Sequence, residues 1–242
     1  MMKNILFKVS LMAFLLFGCR EEGKRDGVIK FATSADYPPF EFMSNGEIVG
    51  FDIDVAKLIA KELSKEAVFI DIQYSNILPA VQGDSVDAGI STITATDERR
   101  KNFDFSSEYY KETLVMIYKS DSPIRNENEI GSKKIAAQLG STMEIWLKSN
   151  TKDAIIILMD NNNQAVEALK VGHVDGVLVD SFQGKMFCMK NPELSFKVIS
   201  QSENGYAIAF KKGSLLKEEV NSVLEKLTQL GEIKKLEDKW LK

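Results

Sequence analysis

Two stretches of this chain repeat one layout, and that repeat restricts its architecture most. AVQGDSVDAGIST (residues 80–92) and ALKVGHVDGVLVDS (168–181) each leave a helix-like apolar stretch, pass a polar turn with glycine, and enter an apolar run through Val-Asp-small. A recurring unit of this kind implies two similar halves. A further strand candidate precedes each copy: VIKFATS (28–34), running into YPPFEF, and KKIAAQ (133–138), running into LGST. FIDIQY (69–74) and AIIILMD (154–160) read as the next strands, and NILPAVQG (76–83) and NNQAVEALKVG (162–172) as the helices after them.

In FDIDVAKLIAKEL (51–63), Val55, Leu58, Ile59 and Leu63 share one helical face, and Asp52 is placed to cap the start. Each half thus runs strand, helix, strand, helix, strand. The expected fold class is α/β, with two lobes that are each a small sheet flanked by helices. The C-terminal segments SLLKEEVNSVLEKLTQL (214–230) and EIKKLEDKWLK (232–242) carry amphipathic stripes but no sheet of their own. They are assigned to the first lobe, with the chain crossing between lobes near residues 110–112 and 204–206. The boundaries become 28–110 with 207–242 for the first lobe and 111–206 for the second.

The N-terminus is read separately. Lys3 and Lys8 precede the short apolar run VSLMAFLLF, and Gly18 precedes Cys19. Residues 1–18 read as an export signal, too short to span a bilayer, followed by a polar linker over 19–27. Cys188 is then the one cysteine left, so the exported protein has no internal disulfide. Set among Met186, Phe187 and Met189, it reads as a small buried hydrophobe. A net charge of −4 without a long basic cluster argues against nucleic acid as a partner.

Ligands of open α/β sheets gather beyond the carboxyl ends of the strands. Ser91, Thr92 and Thr94 stand at the end of the first repeated strand and Asp180 at the end of the second. Asp180 either caps the helix SFQGKMF, meets a cation, or faces the cleft. Arg99 is either a solvated helix charge or a two-pronged grip for a carboxylate. In GSTME, Ser141 and Glu144 fit a capping box, and the helix opening at Thr142 is either plainly capped or an anion site. Tyr37 and Tyr74 supply flat apolar walls, and Phe40 reads as core. Taken together, Arg99 and the GST turn would hold a carboxylate, while Asp180 and Thr92 would hold an ammonium. The sole histidine, His173, sits in the turn GHVD away from this cleft, which leaves a Ser-His-Asp arrangement without a base. No Cys/His metal spacing or phosphate-type glycine loop is visible, so no catalytic residue, metal or cofactor is expected.

DYPPFEF (36–42), GEIVGFDIDVAKLIAKEL (46–63), VDAGISTITATDERR (86–100), QLGST (138–142) and VDGVLVD (174–180) resemble the polar amino-acid-binding proteins of bacterial ABC importers, solute-binding family 3. The likeness covers nearly all of the chain after the leader. It implies a two-lobed periplasmic-binding-protein fold of type II that closes on a free L-amino acid and docks on membrane permease subunits as a monomer. It also implies that Tyr37 covers the ligand. Arg99, with Thr94 beside it, would hold the α-carboxylate together with Gly140, Ser141 and Thr142, and Asp180 the α-ammonium. LLFGC resembles a bacterial lipobox, in which Cys19 becomes the lipidated first residue of a membrane-anchored lipoprotein. One position departs from the family: Ser34 stands where binders of basic or polar side chains often carry an acid, with Asp36 nearby. Arginine or lysine is therefore a leaning, and glutamine stays open. Enzymes of the cyclohexadienyl dehydratase kind and ligand sensors share this fold and form the alternative readings.

Overall fold

The computed structural model describes residues 27–111, 113–202 and 204–242. The leader, Cys19 and all of the linker except Gly27 lie outside the described residues. The chain opens with β1 (Val28–Thr33), followed by a small antiparallel meander of β2 (Asp36–Tyr37), β3 (Glu41–Ser44) and β4 (Glu47–Val49). Helix α1 (Phe51–Glu62) starts behind Gly50, whose φ is 138°. A Cβ there would lie 2.1 Å from the Phe40 carbonyl oxygen, so this turn requires glycine. Asp52 does not cap the helix. It lies within the first turn, fully buried, and no side chain caps α1.

The next strand, β5 (Glu66–Asp71), pairs with β1 in parallel from Val28↔Glu66 to Thr33↔Asp71. It therefore begins and ends three residues earlier than the expected 69–74. It is an edge strand whose register comes from backbone pairing with β1, so exposed polar residues are tolerated within it. Tyr74 instead opens a short 3-10 turn before α2 (Ile77–Gln82). After α2 come β6 (Ala88–Gly89), α3 (Asp97–Asn102) and β7 (Phe103–Phe105).

The second lobe contains β8 (Thr113–Lys119), β9 (Lys134–Gln138), α4 (Thr142–Asn150), β10 (Ile155–Met159), α5 (Asn162–Lys170), β11 (Gly176–Asp180), α6 (Ser181–Lys190) and β12 (Leu194–Gln201). The chain then returns through β13 (Ala209–Lys211), α7 (Leu216–Gln229) and α8 (Glu232–Trp240). The first sheet has the order β5-β1-β6-β13-β7 and the second β10-β9-β11-β8-β12. In both, three strands run parallel, the fourth runs antiparallel to them, and the fifth is antiparallel to the fourth. The fourth strand of each sheet, β13 or β8, is the one that arrives from the other lobe.

The repeated Val-Asp explains itself at this level. The Asp87 carboxylate accepts the Lys30 N–H at 2.8 Å, and the Asp175 carboxylate accepts the Lys134 N–H at 2.8 Å. Each aspartate stands just before a strand, β6 or β11, and satisfies a backbone donor of that strand's parallel neighbour, β1 or β9, so the same residue type recurs for the same local need.

Each sheet is covered on both faces. In the first lobe Ile29, Phe31, Val55, Ile59, Leu224 and Ile233 pack together, which seats α1, α7 and α8 on one side. Ile77, Val81, Ile93 and Phe105 fill the other. Along β8, Val115 and Ile117 enter the core under α5 while Leu114, Met116 and Tyr118 enter the core under α4, as the two-residue period of a strand requires. Phe40 is fully buried, with ring centroids of Phe51, Tyr110, Phe182 and Tyr206 between 5.4 and 5.9 Å away. Since Phe182 belongs to α6, this cluster joins the lobes. Cys188 is half-buried rather than buried, packed beside the core under α5, and burial pushes its thiol up to about 11.

Candidate ligand-binding site

Three consecutive strand-to-helix turns of the second lobe open their helices at one cleft. Ser141, Asn161 and Asp180 cap α4, α5 and α6, accepting the N–H of Glu144, Gln164 and Gln183 respectively. The capping box is modified: the Glu144 carboxylate reaches back to the Gly140 N–H at 2.7 Å. Helix openings of this kind favour anions by geometry and by dipole. Opposite them lies the turn after β6. There Thr92 takes a left-handed φ of 47°, uncommon for a β-branched residue. The narrow cavity between the lobes is lined by Tyr37, Tyr74, Thr92, Thr94, Gln138, Ser141, Thr142, Met143, Asn162, Asp180 and Tyr206.

Asp180 anchors one end of this cavity. Its Oδ2 accepts the Tyr206 hydroxyl at 2.6 Å and also the Tyr37 hydroxyl, while Oδ1 accepts the Gln183 N–H at 3.2 Å. Burial pushes the Asp180 carboxyl above its usual range, and the tyrosine hydroxyls and the backbone N–H restrain that rise. A buried carboxylate with neutral donors alone remains short of positive charge, and a cation entering the cleft would supply it. Burial, followed by the charge of Asp180, drives the Tyr37 hydroxyl well above 10, so it remains a neutral donor.

Arg99 lies on the other side of Tyr74, which borders both its pocket and the main cavity. Its backbone N–H is accepted by the Thr96 cap of α3. The guanidinium donates from Nη1 to the Thr94 carbonyl at 2.9 Å and from Nη2 to the Gly140 carbonyl at 2.8 Å. It therefore bridges the lobes. Further ties across the cleft run from Gln183 Nε2 to the Pro38 carbonyl at 2.5 Å and from Asn163 Nδ2 to the Asp36 carbonyl at 3.4 Å.

Of the residues expected from the sequence, Tyr37, Tyr74, Thr92, Thr94, Ser141, Thr142 and Asp180 meet in the one cavity, and Arg99 and Gly140 adjoin it. Ser91 does not face it. The residue is fully buried, and its hydroxyl turns inward to Glu41 Oε1 at 2.7 Å. The Gly140 N–H is likewise engaged by Glu144, so Gly140 presents its carbonyl to Arg99 rather than a donor to an anion. Four residues of the cavity lacked a sequence assignment: Gln138, Met143, Asn162 and Tyr206. The crossing NGYAIAF contains Tyr206, and its placement at a hinge was the available signal. His173 lies exposed in its turn, and among the described residues no group of three His, Cys, Asp or Glu side chains is arranged for a metal ion.

The family model for bacterial extracellular solute-binding proteins, family 3, matches residues 29–242. The arginine-binding extracellular protein ArtP of Bacillus subtilis is 31% identical over 98% of this chain and 96% of its own length. The glutamine-binding protein GlnH of the same organism is 34% identical over 82% of this chain and 75% of its own length. Among solved structures, an ancestral arginine-binding protein bound to arginine superposes with a TM-score of 0.85 at 34% identity, covering 89% of this chain and 99% of that one. Two lobes of matching sheet order, a cleft of helix openings between them and a family match over nearly all described residues lead to one conclusion: the chain belongs to the bacterial extracellular solute-binding proteins, family 3.

Proposed function

We propose that the protein captures a free polar or basic L-amino acid, arginine foremost, outside the cytoplasm and delivers it to the permease of an ABC importer without chemically changing it. The observation that carries this reading is the cleft that the Asp180 carboxylate and the α4 opening at Ser141 and Thr142 both line, with the Arg99 guanidinium in the pocket adjoining it across Tyr74. A guanidinium and a carboxylate so placed match the two charges of an amino-acid backbone. In this reading the α-carboxylate takes the Arg99 fork and the α4 opening at Ser141 and Thr142. The α-ammonium takes Asp180 with Thr92, and Tyr37 and Tyr74 flank the side chain.

A separate pocket of the first lobe offers acidic groups to a basic side chain. Asp36 and Asp71 border one pocket with Ser34 and Gln73, and burial together with the charge of Asp71 pushes Asp36 up to about 6. A guanidinium or ammonium there relieves that like-charge pressure. The arginine-binding relatives point the same way. The lobes are taken as 28–110 with 207–242 and 111–206, closing as a monomer about the two crossings. Anchoring through a lipidated Cys19 belongs to the same reading. Among the described residues no helix is long and apolar enough to cross a membrane.

Calorimetric titration with a panel of L-amino acids tests the proposal. Micromolar or tighter binding of arginine, with no turnover of prephenate or arogenate, supports it. Binding of none of them refutes it. Loss of radiolabelled arginine uptake on deletion separates a transport component from a sensor.

A further inference from the structure

Two carboxyls lie inside the first lobe, directly behind the ligand-facing turn. Glu41 in β3 is 1% exposed, and Asp52 in the first turn of α1 is 0% exposed. Glu41 Oε1 accepts the Ser91 hydroxyl at 2.7 Å, and that hydroxyl accepts the Ser34 N–H at 3.1 Å. Asp52 Oδ2 accepts the Thr92 N–H at 2.7 Å and the Tyr109 hydroxyl at 2.8 Å. The other two oxygens, Glu41 Oε2 and Asp52 Oδ1, have no donor among the described residues.

The charged groups acting on the pair are acidic. Asp52 from α1, Asp36 from β2 and Asp180 from the second lobe all act on Glu41, and Asp52 feels Glu41. The hydroxyls of Tyr37 and Tyr109 feel Glu41 in turn. Burial raises both carboxyls: Glu41 goes well above its ordinary value and Asp52 up to about 7, with a hydrogen bond between the two side chains among the influences on Asp52. Two carboxylates enclosed without a cation cannot both stay ionised. One proton between Glu41 Oε2 and Asp52 Oδ1 satisfies both orphan oxygens together.

We propose that Glu41 and Asp52 share a single proton and that the loaded pair is the support holding the Ser91–Thr92 turn in its ligand-binding shape. Thr92 lines the cleft in a left-handed conformation that persists only when its surroundings over-determine it. Asp52 supplies that constraint from below through the Thr92 N–H, and Glu41 does so through Ser91. The pair also reaches the crossing between lobes. Tyr109, bonded to Asp52, donates its N–H to the Tyr206 carbonyl at 2.9 Å, and the Tyr206 hydroxyl is bonded to Asp180. Lobe closure carries the Asp180 charge toward Glu41, which tightens the hold on the proton. Removal of the proton leaves two facing negative charges, which push the acceptors away from Thr92 and Tyr109. Ligand affinity therefore falls as the pH rises.

The affinity readout rests on the amino-acid-binding reading above, whereas the proton itself is observable without ligand. The experiment combines carboxyl carbon NMR on the ligand-free protein with calorimetric titration of L-arginine from about pH 6 to about pH 8.5. One carboxyl of the pair titrates well above the ordinary carboxylate range. Wild-type affinity falls at least about fivefold across the window, the limit for one linked proton being about tenfold per pH unit. Glu41→Gln donates the bridging hydrogen bond permanently from its amide and loses that slope, and Asp52→Asn does the same from the other side. Glu41→Leu, which supplies no donor, weakens binding at every pH. The ammonium of the ligand titrates equally in all variants, so the difference from wild type belongs to the pair. Two carboxyls that both titrate in the ordinary range overturn the proposal whether or not any amino acid binds. A flat wild-type profile, or a slope retained in both amide variants, overturns it as well.

Discussion

Replacing Arg99 by alanine tests the clasp most directly. The side chain is 7% exposed and makes two hydrogen bonds, to Thr94 of its own lobe and Gly140 of the other. Hydrogen bonds to a charged group contribute about 1.5–3 kcal/mol each. Removing one partner of a buried charge pair costs about 3–5 kcal/mol, because the remaining charge is left in a dry site. With a bound carboxylate as that remaining charge, and tenfold in affinity for each ~1.4 kcal/mol, Arg99→Ala weakens arginine binding between about a hundredfold and a few thousandfold. Arg99→Lys keeps the charge but not the planar fork, so it recovers part of the loss. Calorimetry measures the affinities, and a thermal melt of the ligand-free variant checks that the lobes still fold. A folded Arg99→Ala protein that binds within tenfold of wild type refutes the reasoning.

Asp180→Asn removes the acidic half of the clasp and costs about 3 kcal/mol or more of binding, a hundredfold or more by calorimetry. Since burial already disfavours the Asp180 charge, the ligand-free melting temperature of that variant does not drop, and a large drop would contradict the electrostatic account. Phe40→Ala empties the aromatic cluster joining the lobes and costs about 3–5 kcal/mol in urea unfolding; a loss below about 1 kcal/mol would show that the cluster does not bear on stability. The native protein holds protons on Asp36 to about pH 6 and on Asp52 to about pH 7, whereas the unfolded chain releases them near 3.8. In that window the native state binds more protons than the unfolded state, so stability falls as pH rises from about 4 to about 7. Asp104 and Asp238, which are lowered, act oppositely but only below the ordinary carboxylate range. A calorimetric series across this window reads the slope, and Asp36→Asn and Glu41→Gln each flatten it. A melting temperature that climbs through the window would refute the assignment.

The sequence by itself determined the two-lobed α/β plan, because local chemistry carries it: helical stripes, the paired Val-Asp turns and the capping residues act within one or two elements. Asp87 and Asp175 serve strands whose pairing those turns already imply. Arg99 and Asp180 were legible as candidates because a charge at a strand end or helix opening has few uses. Tertiary structure alone decided what each polar group meets. Asp52 reads locally as a cap, yet it accepts the Thr92 N–H from 40 residues away. Ser91 reads as a ligand contact, yet it serves Glu41, separated from it by 50 residues. The Tyr37–Asp180 bond spans 143 residues and exists only when the lobes meet. Periodicity specifies which face of an element is apolar. The protonation and partner of a buried carboxyl depend on which other elements are packed against it, and no local pattern encodes that.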